Sequence, residues 1–335
     1  FYDTDNFVGA TFFGAPDLQF NYLNLRRNET YQQRAIFGEA ELDISDRLTL
    51  VAGLRYTEED RKILYNQSDD FPFTVFLPAT GMFEIDIDYS IVTPRFALQY
   101  FANENAQIYA SAARGFRGPG GNTDFDNAGV RNNAYGAETI WTYELGAKAR
   151  VMGGKLTLEA AAFYTDWIDR QEVVNPEAPF TEQFSDNIGQ AEIYGFELSA
   201  VARPTSTFTF GGNFSYLSTE IVASADPAFL GLRILGEPEL RANIFADLDK
   251  PIGKGLNLTA HIDAGIQGEV IYSFANPVEE GDYFLGNASM GVRKDNWAAR
   301  VFVRNFTNEF IRFGAGLSTS INEPRVFGAS LDISF

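Results

Sequence analysis

The chain has 335 residues, an aromatic content of 15%, no cysteine and a formal net charge of −19. Without cysteine it can form no disulfide, thiolate metal site or cysteine nucleophile, and its acidity argues against a nucleic-acid partner, because phosphate binding requires clustered Lys and Arg. No run approaches the roughly 18 consecutive apolar residues of a membrane-spanning helix. If the chain crosses a bilayer, it must therefore do so with strands.

The N-terminal third begins with a loop and then becomes regular. Residues 1–30 lack a clean period and are predicted to be an extracellular loop that follows a missing strand. The segment 33–45 alternates between an apolar and a polar face, which is the period of a strand. After a short turn, 48–57 does the same. The long segment 58–88 then separates this hairpin from the next strand.

The same rhythm of strand, tight turn, strand and long loop continues to the C-terminus. The remaining predicted strands are 89–101, 106–115, 138–151, 155–170, 188–203, 207–222, 237–250, 256–270, 282–294, 297–305 and 327–335. Most of these about thirteen strands reach the roughly 9–11 residues that a tilted strand needs to cross a bilayer. Short turns on one side and long loops on the other are typical of an outer-membrane barrel.

The final strand shows the two faces most clearly. Phe327, Leu331 and Phe335 share an apolar face with Ala329 and Ile333, while Gly, Ser and Asp occupy the other face. An edge strand of a soluble β-sandwich would show the same alternation. About thirteen strands, however, enclose an interior too wide for side chains to fill. The apolar faces are therefore predicted to contact lipid, and the fold is predicted to be an all-β, transmembrane antiparallel barrel.

Several stretches carry distinctive strand motifs: Ala35–Glu39 followed by Asp46–Tyr56, Thr93–Arg95, Tyr109–Arg117, Tyr143–Lys148, Ala162–Trp167, Gly195–Leu198 and Arg304–Asn308. These motifs resemble those of the TonB-dependent outer-membrane receptors. No single motif is specific, but their order and spacing together are. The resemblance covers almost all of residues 31–335.

The resemblance implies a barrel of about 22 strands with a plug in its lumen. Residues 1–335 would then be the C-terminal portion of the β-barrel domain, with the plug and the first strands upstream. It further implies the outer membrane of a Gram-negative bacterium, contact with lipopolysaccharide and other outer-membrane lipid, and energy supplied by TonB with ExbB and ExbD. The expected cargo is a scarce nutrient, most often a ferric siderophore in this family.

Charged residues on the polar faces are the first candidate site. The residues expected to face the lumen, and in the receptor to meet the plug, are Arg55, Arg95, Glu144, Lys148, Glu197, Arg241, Arg300 and Arg304. Some of them could instead pair only across strands. The single histidine, His261, lies on a polar face beside Asp263. A lumen residue whose hydrogen bonds are satisfied is a simpler interpretation of His261 than a metal ligand.

The second candidate site is the predicted loop 58–88. Phe71, Phe73, Phe76 and Phe83 could stack on a flat organic ligand such as a siderophore catecholate, or they could pack the loop against its neighbours. The glycine-rich segment 117–122 is predicted to be a turn at a strand top, since no Lys or helix follows as a phosphate-binding loop requires.

Three functions remain in view. The first is a TonB-dependent receptor that imports a scarce nutrient. The second is a passive porin or channel, and the third is an enzyme or adhesin carried on a barrel. No nucleophile, acid–base pair or metal-binding group is visible in the sequence, so neither catalysis nor a cofactor is expected.

Overall fold

The computed structural model describes residues 2–10, 23–68, 81–122, 125–126, 129–130, 134–174, 184–224, 227–272, 279–313 and 320–334. The first strands are β1 (Tyr2–Ala10), β2 (Leu23–Ser45), β3 (Leu48–Ser68), β4 (Gly81–Asn103), β5 (Ala106–Arg117), β6 (Gly120–Gly121), β7 (Phe125–Asp126), β8 (Gly129–Val130) and β9 (Ala134–Tyr135). The middle strands are β10 (Glu138–Val151), β11 (Leu156–Val174), β12 (Phe184–Thr205) and β13 (Phe208–Ser224). After the short 3₁₀ helix Pro227–Phe229 come β14 (Leu240–Gly253), β15 (Leu256–Gln267), β16 (Val270–Ile271), β17 (Glu279–Glu280), β18 (Tyr283–Lys294), β19 (Trp297–Arg304), β20 (Arg312–Phe313), β21 (Ser320–Ile321) and β22 (Val326–Ile333).

Fourteen of these strands form one sheet. Its order is β1-β2-β3-β4-β5-β10-β11-β12-β13-β14-β15-β18-β19-β22, and each strand pairs antiparallel with the next. The eight remaining short strands form four two-stranded ladders in the long connections. No helix in the described residues is long and apolar enough to span a membrane. We call the end of the sheet with the short turns the turn end and the opposite end the loop end.

All thirteen predicted strands are present, and several are longer than predicted, most of all β2, β3 and β4. At the loop end, β2 begins at Leu23, β3 continues to Ser68 and β4 begins at Gly81. Tyr2–Ala10 pairs with Leu23–Tyr31 as β1, so residues 1–30 are not the continuous loop that the sequence predicted. The extra length is hydrogen-bonded ladder, which satisfies backbone groups that a loop would leave to water.

The cross-strand register places the apolar residues of all these strands on one face, which we call the apolar face. Leu145, Ile244, Val301 and Leu331, for example, all lie there, and each is about 60% exposed. Exposed apolar area on this scale is far above the single patch that a soluble monomer tolerates. The apolar face therefore fits hydrocarbon rather than water, as predicted.

A band of aromatic rings marks the loop-end border of the apolar face. Trp141 and Tyr143 stack with centroids 6.0 Å apart, Tyr143 stacks on Tyr164 at 6.2 Å, and Tyr164 meets Tyr194 at 5.0 Å. Tyr194 also donates a hydrogen bond to Glu192, one step further toward the loop end. Such girdles lie at the membrane–water interface, so the lipid border falls at this row.

Beyond that border, the hairpins β2–β4 reverse the polarity of their two faces. Charged residues lie on the side that is continuous with the apolar face: Glu58, Asp60, Lys62, Glu84, Asp86 and Asp88. On the opposite side Ile63, Ile85 and Ile87 are buried, with Ile63 fully so. The outer side of these strands therefore faces water instead of lipid. Their inner side carries a packed isoleucine cluster instead of polar side chains. The loop-end part of β2, β3 and β4, which we call the projecting hairpin, therefore extends past the bilayer.

Replacement of Leu198 by Arg should destabilise the folded protein by about 2–4 kcal/mol, because Leu198 lies midway along the apolar stretch of β12 and arginine is costly at the bilayer midplane. The measurement is urea unfolding of the full-length protein in liposomes, followed by heat-modifiable gel mobility.

The matched control is Ser199→Arg, one residue along the same strand but on the polar face. It should change the unfolding free energy by less than about 1 kcal/mol, because Ser199 is only half-buried and an arginine on the polar face is not forced into lipid. Equal losses in the two variants would contradict the assignment of the faces.

Candidate functional site

The eight residues predicted to face the lumen all lie on the face opposite the apolar one, which we call the polar face. The register aligns them with polar-face partners on both neighbouring strands: Arg55 with Phe37 and Thr93, Glu144 with Ser111 and Phe163, Arg300 with Gly291 and Ser330. The other five, Arg95, Lys148, Glu197, Arg241 and Arg304, occupy equivalent positions. Their role toward a plug stays a prediction.

Several of these charges have partners on the polar face. Arg95 contacts Glu39 at 2.9 Å, Arg304 contacts Glu323 at 3.0 Å, and Tyr109 donates to Glu144 at 2.6 Å. The two ion pairs are about half exposed, and exposed pairs contribute little to stability. They therefore form a wetted charged wall and are available to a further partner.

His261 is held between two carboxylates on the same wall. Its Nδ1 lies 2.7 Å from Asp247 and its Nε2 lies 3.1 Å from Asp263. Carboxylates only accept hydrogen bonds, so both ring nitrogens are already engaged. Within the described residues, no group of three or more His, Cys, Asp or Glu side chains is arranged to hold a metal ion. His261 is a satisfied wall residue.

The predicted phenylalanine site lies almost wholly outside what the structure describes. Phe71, Phe73 and Phe76 fall outside the described residues. Phe83 belongs to β4, where its backbone pairs with Tyr65, but its side chain is outside the described part as well. Capture of ligand by these four residues stays a prediction.

The glycine-rich segment 117–122, predicted to be a turn at a strand top, begins at the loop end of β5. After Arg117 the chain folds onto the polar face, and residues 119–122 are buried. A Cβ on Gly121 would lie 2.8 Å from the Cδ1 of Ile85 and 3.0 Å from that of Ile63. Only a glycine allows so close an approach. The segment closes over the buried isoleucines of the projecting hairpin.

A buried polar network holds this segment in place. Glu138, only 4% exposed, receives two bonds from Arg117, at 2.9 and 3.0 Å, and one from the backbone N–H of Gln171 at 2.6 Å. The Gln171 amide donates to the carbonyls of Gly118 and Gly136. Because a buried polar group left unpaired costs about 1–3 kcal/mol, these mutually satisfied groups favour one conformation.

A bulge in β11 delivers Gln171 to that network. The pairing with β12 shifts register between Trp167 and Arg170 and again between Arg170 and Gln171, and Asp169 has a φ of 54°. Bulges re-aim the side chains that follow them. The buried guanidinium of Arg170 lies 5.6 Å from the Trp167 ring centroid, which packs the bulge.

Between this network and the projecting hairpin lies a polar cavity of about 470 Å³, which we call the loop-end pocket. It is lined by Tyr31, Glu59, Arg61, Arg117, Gly118, Tyr135, Gln171, Glu172 and Ser185. Larger depressions of about 810 and 1180 Å³ lie on the apolar face and are lined mainly by Ala, Leu, Ile, Val and Phe. Those face lipid, so the loop-end pocket is the stronger candidate site.

Glu59 and Tyr31 form one wall of the pocket. Tyr31 Oη donates to Glu59 Oε1 at 2.8 Å, and Gln33 Nε2 donates to the same oxygen at 2.7 Å. Burial, reinforced by the hydrogen bond to Glu59, raises the pKa of Tyr31 to about 12. Tyr31 therefore remains a neutral donor at any physiological pH.

None of the residues around this pocket was predicted from the sequence to line a pocket, and the segment 117–122 was interpreted only as a turn. The second predicted strand ended at residue 57, directly before the charged residues Glu58, Glu59 and Asp60. Residues 57–62 are all polar or charged, so alternation between apolar and polar residues could not show that the strand continues to Ser68.

Solved structures share this fold. The ferric yersiniabactin uptake receptor of Yersinia pestis superposes with a TM-score of 0.79 at 21% identity, covering 93% of this chain and 47% of that one. The catecholate import receptor of Escherichia coli K12, in its closed form, gives a TM-score of 0.70 at 18% identity over 94% and 45% of the two chains. At these identities the likeness shows the fold.

Relatives are also found by sequence. The metal-pseudopaline receptor of Pseudomonas aeruginosa is 23% identical over 255 residues, which are 72% of this chain and 33% of that protein. The catecholate siderophore receptor of Escherichia coli K12 is 24% identical over 250 residues, 70% and 32% of the two. The chain thus spans about a third of the length of these relatives. Both of these relatives are receptors rather than enzymes.

A family model described as "TonB dependent receptor-like, beta-barrel" matches residues 1–306. That match covers most of the chain and agrees with the sheet, its polar and apolar faces, and the resemblance seen in its strand motifs. The chain belongs to the TonB-dependent receptor family, within its β-barrel domain.

Proposed function

We propose that this chain forms the C-terminal part of the barrel of an outer-membrane receptor that imports a scarce metal complex, most readily a ferric siderophore. The similar proteins named above are receptors for metal–pseudopaline, catecholate siderophores and ferric yersiniabactin. The observation that carries the proposal is the loop-end pocket. It lies on the polar face, beyond the lipid border, where a ligand arriving from outside would first meet the barrel.

In this proposal the chain supplies the wall and a capture surface, while other parts of the receptor supply the gate and the energy. A plug would contact the eight charged wall residues of the polar face, from Arg55 to Arg304. TonB with ExbB and ExbD would drive release of the cargo. The phenylalanines at positions 71, 73, 76 and 83 would extend the capture surface outward.

The outer surface of the projecting hairpin suggests which membrane lipid the receptor contacts. Its charged side carries Lys62 between Glu84 and Asp86, with Arg34 paired to Asp60 at 3.6 Å. These groups stand directly above the apolar face, at the level of lipid head groups. We place lipopolysaccharide against them in the outer membrane of a Gram-negative bacterium. The passive-porin hypothesis gains no support from the family match or from the relatives named above.

Cysteine labelling tests which end faces outward. Asp86→Cys, at the loop end, should react with a membrane-impermeant maleimide in intact cells. Glu104→Cys, in the exposed turn between β4 and β5, should react only after the outer membrane is permeabilised. The chain itself contributes no background thiol. Labelling of position 104 alone in intact cells would contradict the orientation.

Radiolabelled-iron uptake tests the transport function. Deletion of the gene in iron-starved cells should remove most uptake of one ferric siderophore, and the full-length gene should restore it. Uptake should fall to background again when TonB is absent, because release from the receptor then lacks energy. Restored uptake that continues at full rate without TonB would show a passive channel instead.

A further inference from the structure

Three lysines lie at the turn end, on the side of the sheet that faces lipid. On the apolar face Lys250 pairs with Leu258, and Leu258 pairs in turn with Val292. Lys294 lies two residues beyond Val292 on the same face of β18, and Lys254 is exposed in the turn between β14 and β15. Strand spacing and rise place the Cα atoms of Lys250 and Lys294 about 12 Å apart. We call these three residues the lysine patch.

The turn between β14 and β15 brings Lys254 beside Lys294. Lys254 has a φ of 54° and Gly255 a φ of 72°, which are the left-handed values of a two-residue hairpin turn. A Cβ added at Gly255 would lie 3.7 Å from Cε of Lys294. Asn, Asp or Gly is usual at the first position of such a turn, because longer side chains rarely adopt a positive φ. The hairpin alone therefore does not explain a lysine there.

The lysine patch carries positive charge that the described carboxylates do not neutralise. Elsewhere in the described part of the chain, Lys62 and Lys148 are paired with glutamates, whereas the lysine patch forms no ion pair there. Asp249 is on the polar face and is paired with Arg293. Asp295 is exposed in the turn that follows Lys294. One exposed carboxylate beside three lysines leaves the patch positive, in a chain whose formal net charge is −19.

Trp297 marks the lipid border next to the patch. It is the cross-strand partner of Lys294, and its other neighbour on the apolar face is Ile333 of the last strand. Tryptophan is enriched at the interface between membrane and water. Lysine side chains near that interface bury their stems in lipid and extend their ammonium groups toward water. The lysine patch therefore lies at the depth of lipid head groups.

The 810 Å³ depression on the apolar face lies next to the patch, toward the middle of the membrane. Phe208 and Phe327 bound it on either side, with Ala260 and Ala288 on strands between them. Phe208 pairs with Leu248, two residues from the first lysine of the patch. Hydrocarbon fills an apolar depression of this kind better than water does. The patch and the depression thus have the relative positions of a lipid head group and its acyl chain.

We propose that the lysine patch binds the phosphate of an anionic phospholipid, one of whose acyl chains lies in the depression between Phe208 and Phe327. Each lysine near an anionic head group contributes about a fivefold change in affinity. A zwitterionic head group gains less, because its own cation repels the lysines. The site goes beyond the proposed function, and it depends neither on the imported ligand nor on which end of the barrel faces outward.

Native mass spectrometry of the purified full-length receptor in detergent tests the proposal. The probes are dioleoyl phosphatidylglycerol, which is anionic, and dioleoyl phosphatidylcholine, which is zwitterionic. The wild type should bind the anionic lipid about tenfold more tightly or better. Lys250→Gln and Lys294→Gln should each raise its Kd about fivefold, and the variant with all three lysines replaced by glutamine should lose the preference. Glycerol phosphate, which lacks acyl chains, should not displace the lipid.

Two further variants separate charge from chain contact. Arg47→Gln removes an exposed cation from the turn between β2 and β3, at the same end of the sheet but far from the patch, and should leave each Kd unchanged. Ala288→Phe fills the depression without changing charge. It should raise the Kd of both lipids at least about threefold, the effect of displacing roughly one methylene group from apolar contact. Heat-modifiable gel mobility verifies that every variant is folded.

Four results would overturn the proposal: equal Kd for the two lipids in the wild type, an unchanged Kd in the triple lysine variant, a loss in Arg47→Gln as large as in Lys250→Gln, or displacement of the lipid by glycerol phosphate. The last result would show a free phosphate site. An unchanged Kd in Ala288→Phe would overturn the placement of the acyl chain. A receptor that imported no metal complex would still give the expected lipid results.

Discussion

Backbone pairing in a medium without water is the constraint on which this structure depends. A strand in hydrocarbon must pair every N–H and C=O with a neighbouring strand, because each unsatisfied group costs several kcal/mol. Fourteen consecutive strands meet this requirement by antiparallel ladders, each with the next. Once the ladders are in place, side chains alternate strictly between two faces. Lipid then selects the apolar face, and the polar face is left to line the interior.

The same constraint explains where the candidate site lies. Beyond the aromatic row from Trp141 to Tyr194, the outer side of the strands faces water. Charged residues can therefore occupy outward-facing positions that are apolar within the bilayer. The interior side of the projecting hairpin is then free to become a dry cluster around Ile63. The glycine-rich segment packs on that cluster and closes one side of the loop-end pocket. The change of solvent at the lipid border thus produces the only described stretch in which buried isoleucines and buried carboxylates lie side by side.

Much of the fold could be predicted from the sequence, because the strand period is local. The turn between Ser45 and Leu48 and the strand Glu138–Val151 were predicted at the residues where the structure has them. The pocket could not be predicted in the same way. Its geometry depends on a bulge before Gln171 and on the inward fold after Arg117, and both arise from contacts between strands far apart in sequence. The predicted strand also ended before the first charged residues of β3. Those charges mark the point where the strand leaves lipid for water, not the point where the strand ends.

The measurement that tests the central claim most directly is a spin-label scan along β3 in the full-length receptor reconstituted in liposomes. Single cysteines at even positions from 50 to 62 would carry the label. We expect high accessibility to oxygen and low accessibility to a nickel chelate from Leu50 to Tyr56, and the reverse from Glu58 to Lys62. A lipid signature that continued unchanged to Lys62, or a water signature at Leu50, would contradict the placement of the membrane border and of the pocket beyond it.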